Sequence, residues 1–375
     1  PDDDSDKYWV MGQNYYPSLV NADGIIESTV NTEALKEIYQ GNDFVEFAFN
    51  GAKYAFATTY LPAASSADGK TTLTGGRMIL LDGSNGWASA SNVGEYPAAG
   101  LGTTRNTTFS TSIAVNVVEG KRIDAWVLVH NQGIAYFTYD ISATTAVNYP
   151  DIAPEGVALE SSYSFSKEFE SAEIAELTGK TIRRAIMRNG LFYVLAIDSS
   201  KVPCIYVIDP ETKSVKTTVS TSGVAMTSVG GGTGVAGYTN SLQLPLSDIA
   251  FTADGYLLAC NYSLVQDYEA ATAAADKGSF CVYKWGKDIL SGLPVGYAQK
   301  IVDVQRNGFW DNAFVGYSFA VSGKLSDCSI LTGGVTASTT TTNPQVRFVN
   351  VKVKGSTVTP TDIRVSPSPI TGLDY

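Results

Sequence analysis

Short apolar runs separated by turns set the pattern of this chain. The clearest stretch lies between Ile182 and Ser220: RRAIMRN, a Gly, LFYVLAIDS, then CIYVIDPETK and SVKTTVS. An apolar run, a tight Gly/Asp/Asn turn, a second run and a looser break follow in that order. The order returns in Ser247–Val304 as DIAFTADG, YLLACNYS, SFCVYKW and GYAQKIVDV. It returns again in Phe314–Val365 as YSFAVSG, KLSDCSILTGG, QVRFVNVKVKG and TPTDIRV. Weaker copies occupy Asp43–Gly94 and Ser110–Phe169. A four-stranded unit recurring every ~40–60 residues predicts an all-β fold, a β-propeller of four-stranded antiparallel blades. Five quartets and an N-terminal pair of strands, YWVMGQN and GIIESTV, predict about six blades, within a range of about five to seven. The N-terminal pair is expected to complete a blade with the C-terminus. The expected organisation is an acidic tail over residues 1–7 and one propeller domain over 8–375.

The turns sort the loops by length. With the strands of a blade named a to d, the a–b turns are tight: Asn50-Gly51, Arg188-Asn189-Gly190 and Ala253-Asp254-Gly255. Two c–d turns, Asp82–Gly86 and Asp209–Thr212, are tight as well. The b–c loops (Leu61–Gly75, Ser263–Gly278, Gly334–Pro344) and d–a links (Gly94–Thr108, Thr221–Pro245, Asp303–Ala313) are longer. Antiparallel strands put b–c and d–a connections at one end of the ring, so elaboration is expected to face one way. Ser142–Gly156 and Gly286–Val295 break that rule. Binding and catalysis concentrate on elaborated loops of rigid scaffolds, which makes that end the expected site. Three connectors read as short helices: TEALKEIYQ stopped by Gly41, SAEIAELTG bracketed by Ser171 and Gly179, and EAATAAAD before Lys277.

Composition narrows the partners. The formal charge of −11 argues against a nucleic-acid backbone and an anionic membrane surface, and leaves a neutral glycan, a peptide or a cation. No apolar run approaches the roughly 18 residues of a membrane-spanning helix. The opening PDDDSD is too charged to pack, and reads as a disordered tail or as a tether after a lipidated cysteine upstream of Pro1. A monomer is expected. Cys204, Cys260, Cys281 and Cys328 fall in or beside strands with no CxxC spacing, so buried free thiols are expected. Cys260 and Cys281 lie on consecutive strands, where a symmetric hairpin would set them opposite each other.

Enzyme motifs are sparse. His130 is the only histidine, so a multi-histidine zinc site is excluded, although the imidazole could act as a base. GxSxG is absent, and Gly230–Gly234 lacks the Lys-Ser/Thr of a phosphate loop. Asp267, Glu269 and Asp311 are candidate carboxylates for glycoside cleavage, against the background of solvated acids expected of an acidic chain. No cofactor is expected, beyond a structural divalent cation such as calcium held by scattered carboxylates and carbonyls. Aromatics are the better lead. Trp310-Asp311-Asn312 puts an indole beside two hydrogen-bonding side chains in a d–a link. Tyr60 and Tyr262 end equivalent b strands, with His130 or Asn131 at that place in the second blade and Asp198 in the third. An aromatic face beside planar polar groups suits a sugar or a peptide. Trp9, Trp126 and Trp285 read as core.

The segments DIAFTADGYLLACNY…GSFCVYKW, IMRNGLFYVLAIDSSKVPCIYVIDPET and SFAVSGKLSDCSILTGG resemble a propeller family from anaerobic gut bacteria, of unassigned function. Its members are typically exported lipoproteins. The resemblance implies a propeller in the periplasm or on the outer membrane or cell surface, and carries over no catalytic residue. The sequence thus points to non-catalytic binding of a glycan or peptide on the loop-rich end. A carboxylate- or metal-assisted hydrolase or lyase in the central channel and a structural subunit of a surface complex are the alternatives.

Overall fold

A computed structural model describes residues 7–12, 15–30, 40–60, 77–97, 110–118, 122–129, 133–139, 163–169, 174–200, 202–225, 244–262, 279–305, 315–316, 318–335 and 346–365. These residues are strands and turns, arranged as five four-stranded antiparallel blades and one three-stranded sheet. The N-terminal sheet is β1 (Lys7–Gly12), β2 (Tyr15–Asn21) and β3 (Ile26–Thr29). Blade 1 is β4 (Gln40–Phe49), β5 (Ala52–Tyr60), β6 (Arg77–Asp82) and β7 (Ser91–Pro97). Blade 2 is β8 (Ser110–Val118), β9 (Arg122–Val129), β10 (Gly133–Tyr139) and β11 (Tyr163–Phe169). Blade 3 is β12 (Thr181–Arg188), β13 (Leu191–Ile197), β14 (Pro203–Asp209) and β15 (Ser214–Val219). Blade 4 is β16 (Leu244–Phe251), β17 (Leu257–Tyr262), β18 (Ser279–Lys287) and β19 (Pro294–Gln305). Blade 5 is β20 (Phe319–Lys324), β21 (Asp327–Val335), β22 (Val346–Lys354) and β23 (Thr357–Val365).

Each blade pairs its strands in sequence order, and successive first strands β4, β8, β12, β16 and β20 adjoin one another. The first strand is therefore innermost and the fourth outermost. Inner strands touch a blade on each side, so they read as continuous apolar runs: β13, LFYVLAI, is buried from Phe192 to Ile197. The outermost β15, SVKTTV, alternates exposed and half-buried residues until Val219.

The core lies in the seams. Ala114 and Trp126 of blade 2 pack on Phe192, Val194 and Tyr206 of blade 3, with Trp126 edge-on to Phe192 at 4.8 Å. Trp285, Tyr283 and Ala259 of blade 4 pack on Tyr193, Leu195 and Val207 of blade 3, and the Trp285 indole donates to the Ser220 carbonyl at 2.7 Å. Phe280 and Cys260 of blade 4 meet Ile330, Cys328 and Val351 of blade 5. As expected, Trp126 and Trp285 are core; Trp9 is half-buried against Phe44 and Trp87.

Among the described residues β1, β2 and β3 pair with one another and β23 pairs with β22; the expected completion of a blade by the C-terminus falls on residues 366–375, outside the described residues. The separate sheet still bridges the ring. Tyr8, Val10 and Val20 pack on Leu331, Phe348 and Ile363 of blade 5, while Trp9, Tyr16 and Val30 pack on Ala55, Leu81 and Trp87 of blade 1.

The turn chemistry reads as the sequence suggested. Asn50 (φ 49°) and Gly51 (φ 79°) close the β4–β5 hairpin with two left-handed residues, the geometry that matches strand twist. The c–d link of blade 4 is shorter than expected, because β18 runs to Lys287 and β19 starts at Pro294. Within SAEIAELTG the structure has a single 3-10 turn, Ala175–Leu177, pinned by buried Ile174 and Leu177. Gln40 and Gly41 belong to strand β4, so Gly41 does not stop a helix there; TEALKEIY and EAATAAAD lie outside the described residues. No helix among the described residues is long and apolar enough to cross a membrane.

Candidate functional site

Register fixes which connections share an end. Tyr60 opposes Gln40, Val129 opposes Ser110, Ile197 opposes Thr181 and Tyr262 opposes Leu244. Each b strand therefore ends where its inner strand begins. The links 61–76, 98–109, 226–243, 263–278 and 336–345 all leave from that end. Tight turns crowd the other end, apart from the 140–162 link of blade 2.

At the loop-rich end the inner strands carry one recurring polar position. A register shift, one residue or more unpaired, precedes it in β4, β8, β12 and β16, before Asp43, Ser112, Arg184 and Asp248. A bulge re-aims the following side chain. Three of these four side chains meet. Arg184 Nη1 donates to Asp43 Oδ2 at 3.0 Å, reaching from blade 3 across to blade 1 over 141 residues of sequence. Its Nε lies 3.3 Å from Asp248 Oδ1 of blade 4, an ion contact without hydrogen-bond alignment.

The two carboxylates make the same backbone bonds. Asp43 accepts from its own neighbour Phe44 N–H (3.0 Å) and from Ile113 N–H of blade 2 (2.9 Å). Asp248 accepts from Ile249 N–H (2.8 Å) and from Phe319 N–H of blade 5 (3.0 Å). Each acid thus ties its inner strand to that of the next blade. Ser112 and Ser318, which precede Ile113 and Phe319, occupy the matching position in blades 2 and 5.

Burial grades the cluster. The Arg184 side chain is 22% exposed, Asp43 13% and Asp248 3%. Burial pushes the Asp248 carboxyl up from its ordinary value, and Arg184 with the Phe319 and Ile249 N–H groups pulls it only part of the way back. For Arg184 burial disfavours the cation, but Asp43 and Asp248 outweigh it, and the guanidinium is held above its usual value. Ser112 is fully buried, and its Oγ has no hydrogen-bond partner. Such an atom costs free energy until a ligand or water meets it. Chemically, the cluster offers a partly open guanidinium fork, while the Ser112 hydroxyl is closed off from solvent. Its carboxylate oxygens are already engaged. Among the described residues no three His, Cys, Asp or Glu side chains gather closely enough to hold a metal ion.

The residues expected from sequence lie at strand ends on the same side of the ring as this cluster or outside the described residues. Tyr60 and Tyr262 occupy equivalent strand ends, opposite the first residues of β4 and β16. At Tyr60 only the strand position is described; Tyr262 is 8% exposed. Beside it Asn261 clamps β18, donating to the Ser279 carbonyl (2.9 Å) and accepting from Cys281 N–H (2.8 Å). Asp198, one residue past the end of β13, caps a turn by accepting from Ser200 and Val202 N–H. His130, Asn131, Trp310, Asp311 and Asn312 lie outside the described residues, as do Asp267 and Glu269. Cys260 opposes Val282, which turns Cys281 to the other face of the blade. The hairpin therefore does not set the two thiols opposite each other, and all four cysteines are free.

Sequence reasoning missed Asp43, Arg184 and Asp248. A signal was available: one polar residue opens each inner apolar run, in Asp43-Phe44-Val45, Ser112-Ile113-Ala114, Arg184-Ala185-Ile186, Asp248-Ile249-Ala250 and Ser318-Phe319-Ala320.

No protein-family model matches this sequence, and no curated protein matches it. Solved structures do show a likeness. A putative exo-β-1,3-galactanase from Bifidobacterium bifidum is 9% identical over 94% of this chain and 96% of its own, with a TM-score of 0.44. A levansucrase variant from B. megaterium is 11% identical over 97% of this chain and 90% of its own, with a TM-score of 0.45. A prolyl endopeptidase also matches, at a TM-score of 0.37; there the chain spans 40% of the relative's length. None of these likenesses decides the ligand, which has to be read from this chain's own residues.

Proposed function

We propose that the loop-rich end of the ring binds a hydroxyl-rich ligand, a glycan, without transforming it. One observation carries this reading. Arg184 reaches across the innermost strands at that end and stays partly open, while the two acids beside it are taken up by Arg184 and backbone N–H groups. A general acid or base needs a carboxyl that can reach substrate. Here both serve to fix the guanidinium. A fixed guanidinium that stays partly open suits a polyol, which offers hydroxyl acceptors in close succession. Trp310, whose d–a link the sequence expects at this same end, is the candidate stacking residue.

The test is a glycan and peptide array, followed by calorimetry on any hit. Arg184→Lys and Trp310→Ala should each weaken binding while the protein stays folded. A lost stacking face corresponds to roughly threefold to tenfold in affinity. Hits that are all peptides would replace the glycan with the peptide alternative. Affinity unchanged in both variants would remove the site from this end.

A second reading rests on the raised carboxyl of Asp248, which faces Asp43 across Arg184. Two carboxyls, one of them kept protonated, are what a glycoside hydrolase needs. Release of reducing sugar from a bound glycan, abolished in Asp248→Asn, would establish it over simple binding.

A further inference from the structure

The opposite end of the ring carries two cations held over aromatic rings. Arg188 ends β12 and its guanidinium stacks over the Phe251 ring, 4.9 Å from the centroid. Lys287 ends β18 and its ammonium lies over the Tyr256 ring at 5.0 Å. Tyr193 stands edge-on to Phe251 at 4.8 Å and completes the aromatic floor. The two cations converge. A Cβ placed on Gly255 would stand 3.1 Å from Arg188 Nη2 and 3.5 Å from Lys287 Nζ. Both nitrogens therefore reach one point between the Asn189-Gly190 and Asp254-Gly255 turns, close enough for one oxyanion to bridge them.

Neither cation has a carboxylate within ion-pair distance among the described residues, although the chain carries 37 Asp and Glu. Lys287 gives one hydrogen bond to the Asp254 carbonyl. The Asp254 carboxylate bonds toward blade 5, where Oδ1 accepts from Leu325 N–H at 2.9 Å, and it lies near enough to Lys287 to feel its charge without an ion-pair contact. Among the described residues no acceptor meets the Arg188 guanidinium donors, and a planar fork held over an aromatic ring is open to a two-pronged acceptor. Beside the pair, Asp288 accepts from Leu290 and Ser291 N–H and holds a turn that displays Ile289 and Leu290 at 95% and 98% exposure. The end of the ring thus offers two positive charges over an aromatic floor with an apolar rim.

We propose that Arg188 and Lys287 form a binding site for an oxyanion, a carboxylate or phosphate group of a ligand. The site lies at the opposite end from Arg184 and stands or falls independently of the glycan reading.

The experiment titrates the full chain with inorganic phosphate and, separately, with succinate, by calorimetry at low ionic strength with sodium chloride as the screening control. Saturable binding of either is expected, weakened at least ~fivefold in Arg188→Gln and in Lys287→Gln, since each removes a charge-assisted bond. Lys354→Gln, at an exposed position beside Asp327, should leave it unchanged. Phosphate binding alone assigns a phosphoryl ligand, and succinate binding a carboxylate one. Melting curves confirm that the variants are folded. No saturable binding, or binding that survives both substitutions, overturns the proposal.

Discussion

Replacing Arg184 with Met keeps much of the side-chain volume and removes the charge that joins blades 1, 3 and 4. The hydrogen bond to Asp43 is charge-assisted and partly buried, a class that contributes about 1.5–3 kcal/mol. The unaligned contact with Asp248 adds less. Losing one partner of a buried pair costs up to about 3–5 kcal/mol, but here each stranded carboxylate keeps two backbone N–H groups. The expected loss is therefore about 2–4 kcal/mol. With an unfolding entropy near 2.1 cal/mol/K per residue over 375 residues, that lowers Tm by about 3–5 °C. The loss also depends on pH. Burial first, against the pull of Arg184, raises the folded carboxyl of Asp248 above its unfolded value. Between those two values the folded chain holds a proton that the unfolded chain has lost, so stability from this group falls as pH rises through the folded value. Removing Arg184 raises that value further. The deficit of the variant should therefore shrink as the solution is acidified and Asp248 takes up its proton. Scanning calorimetry of wild type, Arg184→Lys and Arg184→Met from about pH 8 down to about 4.5 reads this directly. A deficit of equal size across the range, or a Met variant that melts with wild type, would refute the account.

The cysteines should behave as isolated thiols: reductant should leave Tm unchanged, and native alkylation should reach half-buried Cys204 well before buried Cys260, Cys281 and Cys328. A melting temperature that drops in reductant would reveal a bridge. Gly316→Ala should abolish or nearly abolish folding, because its Cβ would stand 1.9 Å from the Asn261 carbonyl oxygen, whereas Gly51→Ala, with nothing within 4 Å, should cost only about 1–2 kcal/mol for its left-handed backbone. Soluble yield and Tm of the two variants compare them, and equal effects would contradict the packing at the blade 4–5 seam.

The blades were legible because two local signals coincide. Asn-Gly and Asp-Gly turns mark the first hairpins of blades 1, 3 and 4, and the buried runs between turns are long enough for strands. The closing sheet was harder to read. YWVMGQN and GIIESTV look like strands, but nothing in them says that PSLVN between them makes a third and satisfies the pair locally. The axial cluster was hidden for a different reason. Asp43, Arg184 and Asp248 are single charges at the heads of apolar strands, spread over more than half of the chain, and only closure of the ring brings them together. Aromatics at strand ends drew attention first because their chemistry is visible residue by residue. Of those, Tyr60 and Tyr262 take equivalent places at the mouth.

The bulge that precedes Asp43, Ser112, Arg184 and Asp248 gives the ring something like an addressable dial. Each blade supplies one letter at the same height. An acid there also accepts from a backbone N–H of the next blade, so the letter sets how two blades are joined. Read around the axis with Ser318, the letters are acid, hydroxyl, base, acid, hydroxyl. Copying a blade duplicates a letter, and a single codon change rewrites one together with the ties it makes to its neighbours. A lineage could therefore exchange one cargo for another by changing the word while keeping the wheel.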